Sequence, residues 1–314
     1  MRRKIVKQGA ATLTVSLPSS WTKKFSLKSG DEIEVEEKDK VLVLSTATDF
    51  SSEKIKINID DANSSQIWGR LNGIYRRGFD EIEVFFRDAY VKDKDGRNIK
   101  TVELLQNIAD RLMGVEIVRQ GRNYVLLKQV SNVSPDEFES LLRRTFYSLK
   151  LMADDCFNAA KTSDKDTLRN ISTYSDLTIN KLTNYCFRIL SKQGHKEYSH
   201  TPYYFLIVHL MEELGDVISF IAKKCHKNLP SRDVACLMEK TCGLMALFDS
   251  AFFNADKKTV IQFYKKRDEI KKEADRVSEK KEHYEVQMLS ALRDISNLAS
   301  EALSAKLNIT QKDY

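Results

Sequence analysis

Apolar positions change period twice along this chain. Over residues 12–17, Leu13, Val15 and Leu17 alternate with Thr12, Thr14 and Ser16, which predicts a strand with one apolar and one hydroxyl face. Pro18 ends it and suits the first turn of a short helix, where Trp21 and Phe25 stand four apart on one side. Alternation resumes where Ile33 and Val35 sit among Asp31, Glu32, Glu34, Glu36 and Glu37. Residues 41–44 then form a short apolar run, as in a strand buried between partners.

The next stretch mixes the two periods. Residues 54–59 and 81–86 read as strands. Residues 64–78 predict a helix with Ile67, Leu71 and Ile74 on one stripe and Gly78 as its stop; residues 100–113 predict a second helix. Residues 89–98 read as a polar loop. Residues 115–119 and 124–128 read as a hairpin across Gln120-Gly121-Arg122-Asn123. The order β-α-β-α-β-β predicts a small α/β layer domain, as a spacer or dimer contact.

From Ser134 onward the period is helical. Ser134-Pro135-Asp136-Glu137 combines a cap, a first-turn proline and early acid. Six helices are expected, at about 135–161, 164–192, 201–227, 231–254, 256–280 and 283–307. Asp164-Lys-Asp-Thr-Leu168 recurs as Asp256-Lys-Lys-Thr-Val260, each with Asp as cap. This internal repeat predicts a doubled three-helix unit. The fold class expected is multidomain α+β, with boundaries at 1–48, 49–131, 132–230 and 231–314.

Composition sharpens this outline. The net charge is +6 and the hydrophobic fraction 42%, enough for real cores. The excess charge is concentrated: residues 1–30 carry Arg2, Arg3, Lys4, Lys7, Lys23, Lys24 and Lys28 and no acid. Five cysteines, none in a CxxC, read as reduced thiols in helices of a cytoplasmic protein. The longest apolar run, residues 203–210, is too short to span a bilayer, so no membrane insertion is expected. No Gly-rich phosphate loop, nucleophile elbow or Ser-His-Asp arrangement is evident, and the chain is not expected to be an enzyme.

Two resemblances give these patterns a functional direction. Residues 1–46 resemble the AbrB/SpoVT/MazE swapped-hairpin family in the order of basic strand, Gly9, TLTVSLP, short helix, Leu27-Lys28-x-Gly30-Asp31 and two closing strands. That resemblance implies an obligate homodimer of interleaved hairpins gripping DNA. Ala10, Thr22 and Lys23 stand where bacterial members often carry arginine. Phosphate contact is therefore the role expected of Lys23 and Lys24, with Arg2, Arg3, Lys4, Lys7 and Lys28 adding charge and Thr12 and Thr14 adding hydroxyls.

Residues 135–314 resemble the PhoU family, whose chains are two three-helix repeats that regulate phosphate uptake. The best local match is His209-Leu-Met-Glu212-Glu213-Leu-Gly215-Asp216-Val-Ile-Ser-Phe-Ile221-Ala222. On a helical wheel Leu206, Leu210, Leu214, Val217 and Ile221 form an apolar arc, with His209, Glu212 and Asp216 opposite. The resemblance implies a divalent metal or iron in the first repeat, held by Asp176, His209, Glu212 and Asp216. The competing reading is a solvated helix face. Asn180, Lys272, Arg293 and Asn297 stand where further acidic ligands belong, and Arg293 and Lys272 pairing with Asp268 is one substitute for metal charge in the second repeat.

Together these readings imply a DNA-binding regulator of phosphate homeostasis, whose helical module contacts a phosphate transporter component or signalling protein. The alternative is an adaptor acting only on proteins, its N-terminal domain serving for dimerisation.

Overall fold

In the computed structural model, which describes residues 2–38, 41–46, 53–131, 135–279 and 281–310, the chain divides after Ser52 into two units. In the first, Gly9 at φ +76° turns strand β1 (Val6–Gln8) into β2 (Thr12–Thr14), pairing Val6 with Thr14. The strand is shorter than the alternation over 12–17 suggests, because residues 15–17 have no strand beside them among the described residues. Helix α1 (Ser19–Lys24) follows Pro18, and Trp21 meets Phe25 with ring centroids 5.6 Å apart. A second hairpin joins β3 (Ile33–Lys38) to β4 (Val41–Thr46). The two hairpins do not pair with each other.

The second unit opens with β5 (Lys54–Asn58), crosses through helix α2 (Ser64–Arg76) and returns parallel as β6 (Glu81–Phe85). Asn63 and Gln66 close a reciprocal capping box at the start of α2. Gly78, at φ +102°, ends the turn as the sequence predicts. The expected polar loop is instead a small hairpin of β7 (Tyr90–Lys92) and β8 (Asn98–Lys100). Asp93 organises it by accepting from the Asp95 and Arg97 amides and from the Arg97 guanidinium. Helix α3 (Thr101–Ala109) and the hairpin β9 (Val115–Gly121) and β10 (Tyr124–Gln129) complete a four-stranded sheet in the order β5-β6-β10-β9. Ile57, Ile82, Val84, Val125 and Leu127 are buried on one face; Leu71, Tyr75 and Leu105 of the helices are buried in the same core.

Helices α4 (Phe138–Thr162), α5 (Lys165–Asn170), α6 (Asp176–Gln193), α7 (Thr201–Lys227), α8 (Arg232–Asn254), α9 (Lys257–Ser278) and α10 (His283–Thr310) follow. The proposed Ser134 cap lies outside the described residues. Asp164 and Asp256 cap as expected, accepting from the Thr167 and Thr259 amides. The expected second helix is broken by a π-turn, Ile171–Ser175, which widens the spiral just before Asp176. Helices α4, α6 and α7 pack together, as do α8, α9 and α10. Contacts of α7 with α10 and α4 with α8 join the sets. Phe146 of α4 meets Phe248 and Phe252 of α8 at 4.9 and 4.3 Å.

Sheet domain and helices are held together through the end of α2. Arg188 of α6, fully buried, donates from Nη1 to the Tyr75 and Phe79 carbonyls at 2.8 Å and from Nη2 to Asp80 at 2.5 Å. Lys192, one turn on, reaches both Asp80 oxygens at 2.7 and 2.8 Å. Its stem lies where a Cβ at Gly78 would be, 2.5 Å away, so the glycine serves both its backbone angle and this contact. Removing one partner of a buried pair strands the other. Arg188→Met is expected to lower unfolding stability by about 3 kcal/mol in urea titrations followed through Trp68 emission. A loss below about 1 kcal/mol would show that Lys192 alone suffices to hold Asp80.

Candidate nucleic-acid interface and carboxylate cleft

A hydrophobic segment that folds must bury its apolar side chains somewhere. In residues 2–46 none of the described side chains is buried. Leu13, Leu42 and Val35 are 68%, 65% and 58% exposed, values that belong to a surface rather than to a core. The basic side chains of Arg2, Arg3, Lys4, Lys7, Lys23, Lys24 and Lys28 are all exposed, and among the described residues none is ion-paired. Lys23 and Lys24 fall in the last turn of α1, and Lys24 lies 5.3 Å from the Phe25 ring centroid. Thr12 is exposed. Thr14 donates its hydroxyl to the Val6 carbonyl at 3.2 Å, so part of its hydrogen-bonding capacity is already used by the hairpin.

The carboxylates gather in the second unit, in a cleft of about 270 Å³ between α2 and helices α6 and α7. Gly215 lets α6 approach: a Cβ there would stand 3.0 Å from Ile179. That closeness brings Asp176 of α6 beside Glu212 and Asp216 of α7. Trp68, Asn72 and Arg111 close the far wall. Arg76 reaches across from α2, pairing with Glu212 at 2.5 Å and donating to Asn184 at 2.5 Å. Asn72 Oδ1 and Asp176 Oδ1 are buried acceptors without a hydrogen bond.

Of the four expected metal ligands, three therefore meet. His209 does not: it is exposed and does not line the cleft. It shares their side of α7 but stands three residues before Glu212 and seven before Asp216, about 10 Å from the latter along the helix axis, beyond the cleft lining. The donor set does not fit a metal. Glu212 already faces a guanidinium, and among the described residues no three His, Cys, Asp or Glu side chains are placed to share an ion. In the second repeat the expected substitute pairing is also different. Arg293 bonds Asp275 at 2.7 Å, and Asp268 is taken by its neighbour Arg267. Arg76, Trp68, Asn72 and Arg111 were not foreseen in the cleft, since no local pattern links α2 and α3 to helices more than sixty residues away.

No family model matches the chain, and no curated protein matches it. Among solved structures it is similar to the phosphate transport system regulatory protein PhoU from Streptococcus pneumoniae, at 14% identity and a TM-score of 0.48. The match covers 57% of this chain and 96% of that one. That likeness is too distant to assign a function. No described helix is long and apolar enough to cross a membrane.

The crowding of acids has a measurable consequence. The Asp176 carboxyl is pushed up to about 6, chiefly by burial, then by Asp216 and Glu212, against the opposing pull of Lys223. A carboxyl raised by folding holds its proton more tightly in the folded chain. The stability it contributes is complete below about pH 4 and is lost as pH rises through about 6. Asp176→Asn is expected to exceed the parent stability by about 1 kcal/mol at neutral pH, a figure discounted because solvent reaches the cleft. The two proteins should converge in acid; an equal difference at both pH values in urea titrations would rule out burial of charge as its cause.

Proposed function

We propose that the chain is a cytoplasmic DNA-binding transcriptional regulator of phosphate uptake and phosphate homeostasis. It acts as a homodimer through an N-terminal swapped-hairpin domain, residues 1–48. The single observation that carries this reading is the state of that unit. It has two hairpins that do not pair with each other, no buried side chain among those described, and an unpaired basic surface. A second copy interleaving its hairpins would cover the apolar faces and double the basic surface. Lysines and arginines on it would neutralise phosphates, giving strong, salt-dependent affinity for duplex DNA.

The phosphate connection rests on the sequence resemblance of residues 209–222 and on the internal repeat of the helical region. In this reading the helices form a PhoU-like doubled three-helix bundle, repeats 132–230 and 231–314, that relays phosphate status by contacting a transporter component or signalling protein. The α/β domain is its rigid connection, not a free spacer, because Arg188 and Lys192 tie it to α6. One observation favours the protein-only adaptor as the second reading. A groove between α7 and α10, in which Val217, Phe220 and Ala291 are flanked by Asp216, Gln287, Ser290 and Asp294, presents a partly apolar surface on the helical region.

Fluorescence anisotropy separates the two. DNA from upstream of the chain's own gene and of phosphate-transport genes should bind more tightly than a scrambled duplex. Lys23→Gln with Lys24→Gln should weaken binding to every duplex and lower the salt slope by about 3.6, four lysines being lost per dimer. Equal weak binding to all duplexes, vanishing at physiological salt, would favour the adaptor.

A further inference from the structure

One face of the four-stranded sheet covers the core; the other is open, and its side chains fall in rows set by the strand register. The first row is Lys54, Glu81, Lys128 and Glu116, and the second Lys56, Glu83, Leu126 and Arg119. The third row is Asn58, Phe85, Tyr124 and Gly121. Phe85 and Tyr124 are thus direct cross-strand partners, with ring centroids 5.2 Å apart. Gly121 leaves the outer side of Tyr124 without a covering side chain, and Phe85 is 38% exposed.

The charges on this face are layered. Glu81 and Glu83 are 11% and 23% exposed, beneath Lys54, Lys56 and Lys128 at 62%, 72% and 45%. Over the other three strands the carboxylates lie low in the sheet and the ammonium groups stand above them, so the outermost charge there is positive; the exposed Glu116 lies on β9 at the far end of the first row. Arg119 at the far end of the second row is exposed and, among the described residues, without a carboxylate partner. Paired aromatic rings beside a row with a cation at each end suit a ligand that is flat, apolar on its faces and anionic along its edge.

We infer that this sheet face binds single-stranded nucleic acid, two successive bases stacking on Phe85 and Tyr124 while Lys56 and Arg119 take the flanking phosphates. Unpaired bases are required, because a duplex keeps its base faces stacked inside. The inference is independent of the N-terminal unit, since every residue it uses lies in the second unit.

The test is anisotropy of the full chain with a short labelled oligothymidylate, in the presence of unlabelled duplex to occupy the N-terminal basic surface. The parent protein should bind the strand. Phe85→Ala with Tyr124→Ala should weaken it roughly a hundredfold, about tenfold for each ring, while Tyr124→Phe changes it less than about twofold. Lys56→Gln with Arg119→Gln, at exposed positions that leave the core intact, should weaken it and flatten its salt dependence; this pair serves if the aromatic variant fails to fold. Duplex affinity measured separately should be unchanged in all of these. No binding by the parent chain, or equal binding by parent and variants, overturns the inference. So does a concentration-dependent doubling of mass abolished by Tyr124→Ala, which would make the face a contact between copies.

Discussion

A buried guanidinium holds the second unit together. Arg188 offers its donors to two backbone carbonyls at the end of α2 and to Asp80, and Lys192 completes the neutralisation of that carboxylate. Burying such a charge is costly unless it is paired and bonded; three of its five N–H donors are used in these contacts, while Nε is buried without an acceptor. Because the acceptors are backbone atoms, the contact fixes where α2 ends and how the sheet domain sits on α6. Arg76, on the same helix end, is thereby aimed at Glu212. The cleft and the domain junction are consequences of one arrangement.

That arrangement also changes the meaning of the carboxylates on α6 and α7. A cluster of acids on neighbouring helices must be neutralised by metal, proton or internal cation. This chain uses the last two: Arg76 faces Glu212, and the raised Asp176 carboxyl lets a proton sit between acids at mildly acidic pH. A guanidinium supplied from another domain makes the carboxylates a docking point, so disturbing them would loosen the hold of the helices on the sheet domain.

The N-terminal unit poses the opposite problem, too little burial rather than too much charge. Its short strands satisfy backbone hydrogen bonds but leave Ile5, Leu13, Val35 and Leu42 in water. Burial of such side chains is worth about 1.5–3 kcal/mol each, the driving force on which the proposed dimer would draw. The seven basic side chains of residues 2–28 share the unit with the acidic run of residues 31–37, and in the proposed dimer a polyanion shared between copies would offset the repulsion among the basic groups.

Much of the fold was legible in the chain itself because it is local. Periods of two and 3.6 set the strands and helices, Gly78 marked a stop at positive φ, and Asp164 and Asp256 announced their caps. The polar stretch at 89–98 hid a hairpin because its strands are three residues each and depend on the Asp93–Arg97 network rather than on alternation. Half of the cleft was legible too: spacing puts Glu212 and Asp216 on one face of α7, the family resemblance adds Asp176, and all three line the cleft. His209 shares that side of α7 but not the cleft, because a helical wheel shows the angle around the axis and not the distance along it. The other wall of the cleft, with Trp68, Asn72, Arg76 and Arg111, came from tertiary structure alone. Which cation meets a carboxylate depends on packing between segments far apart in the chain, and no local period records it.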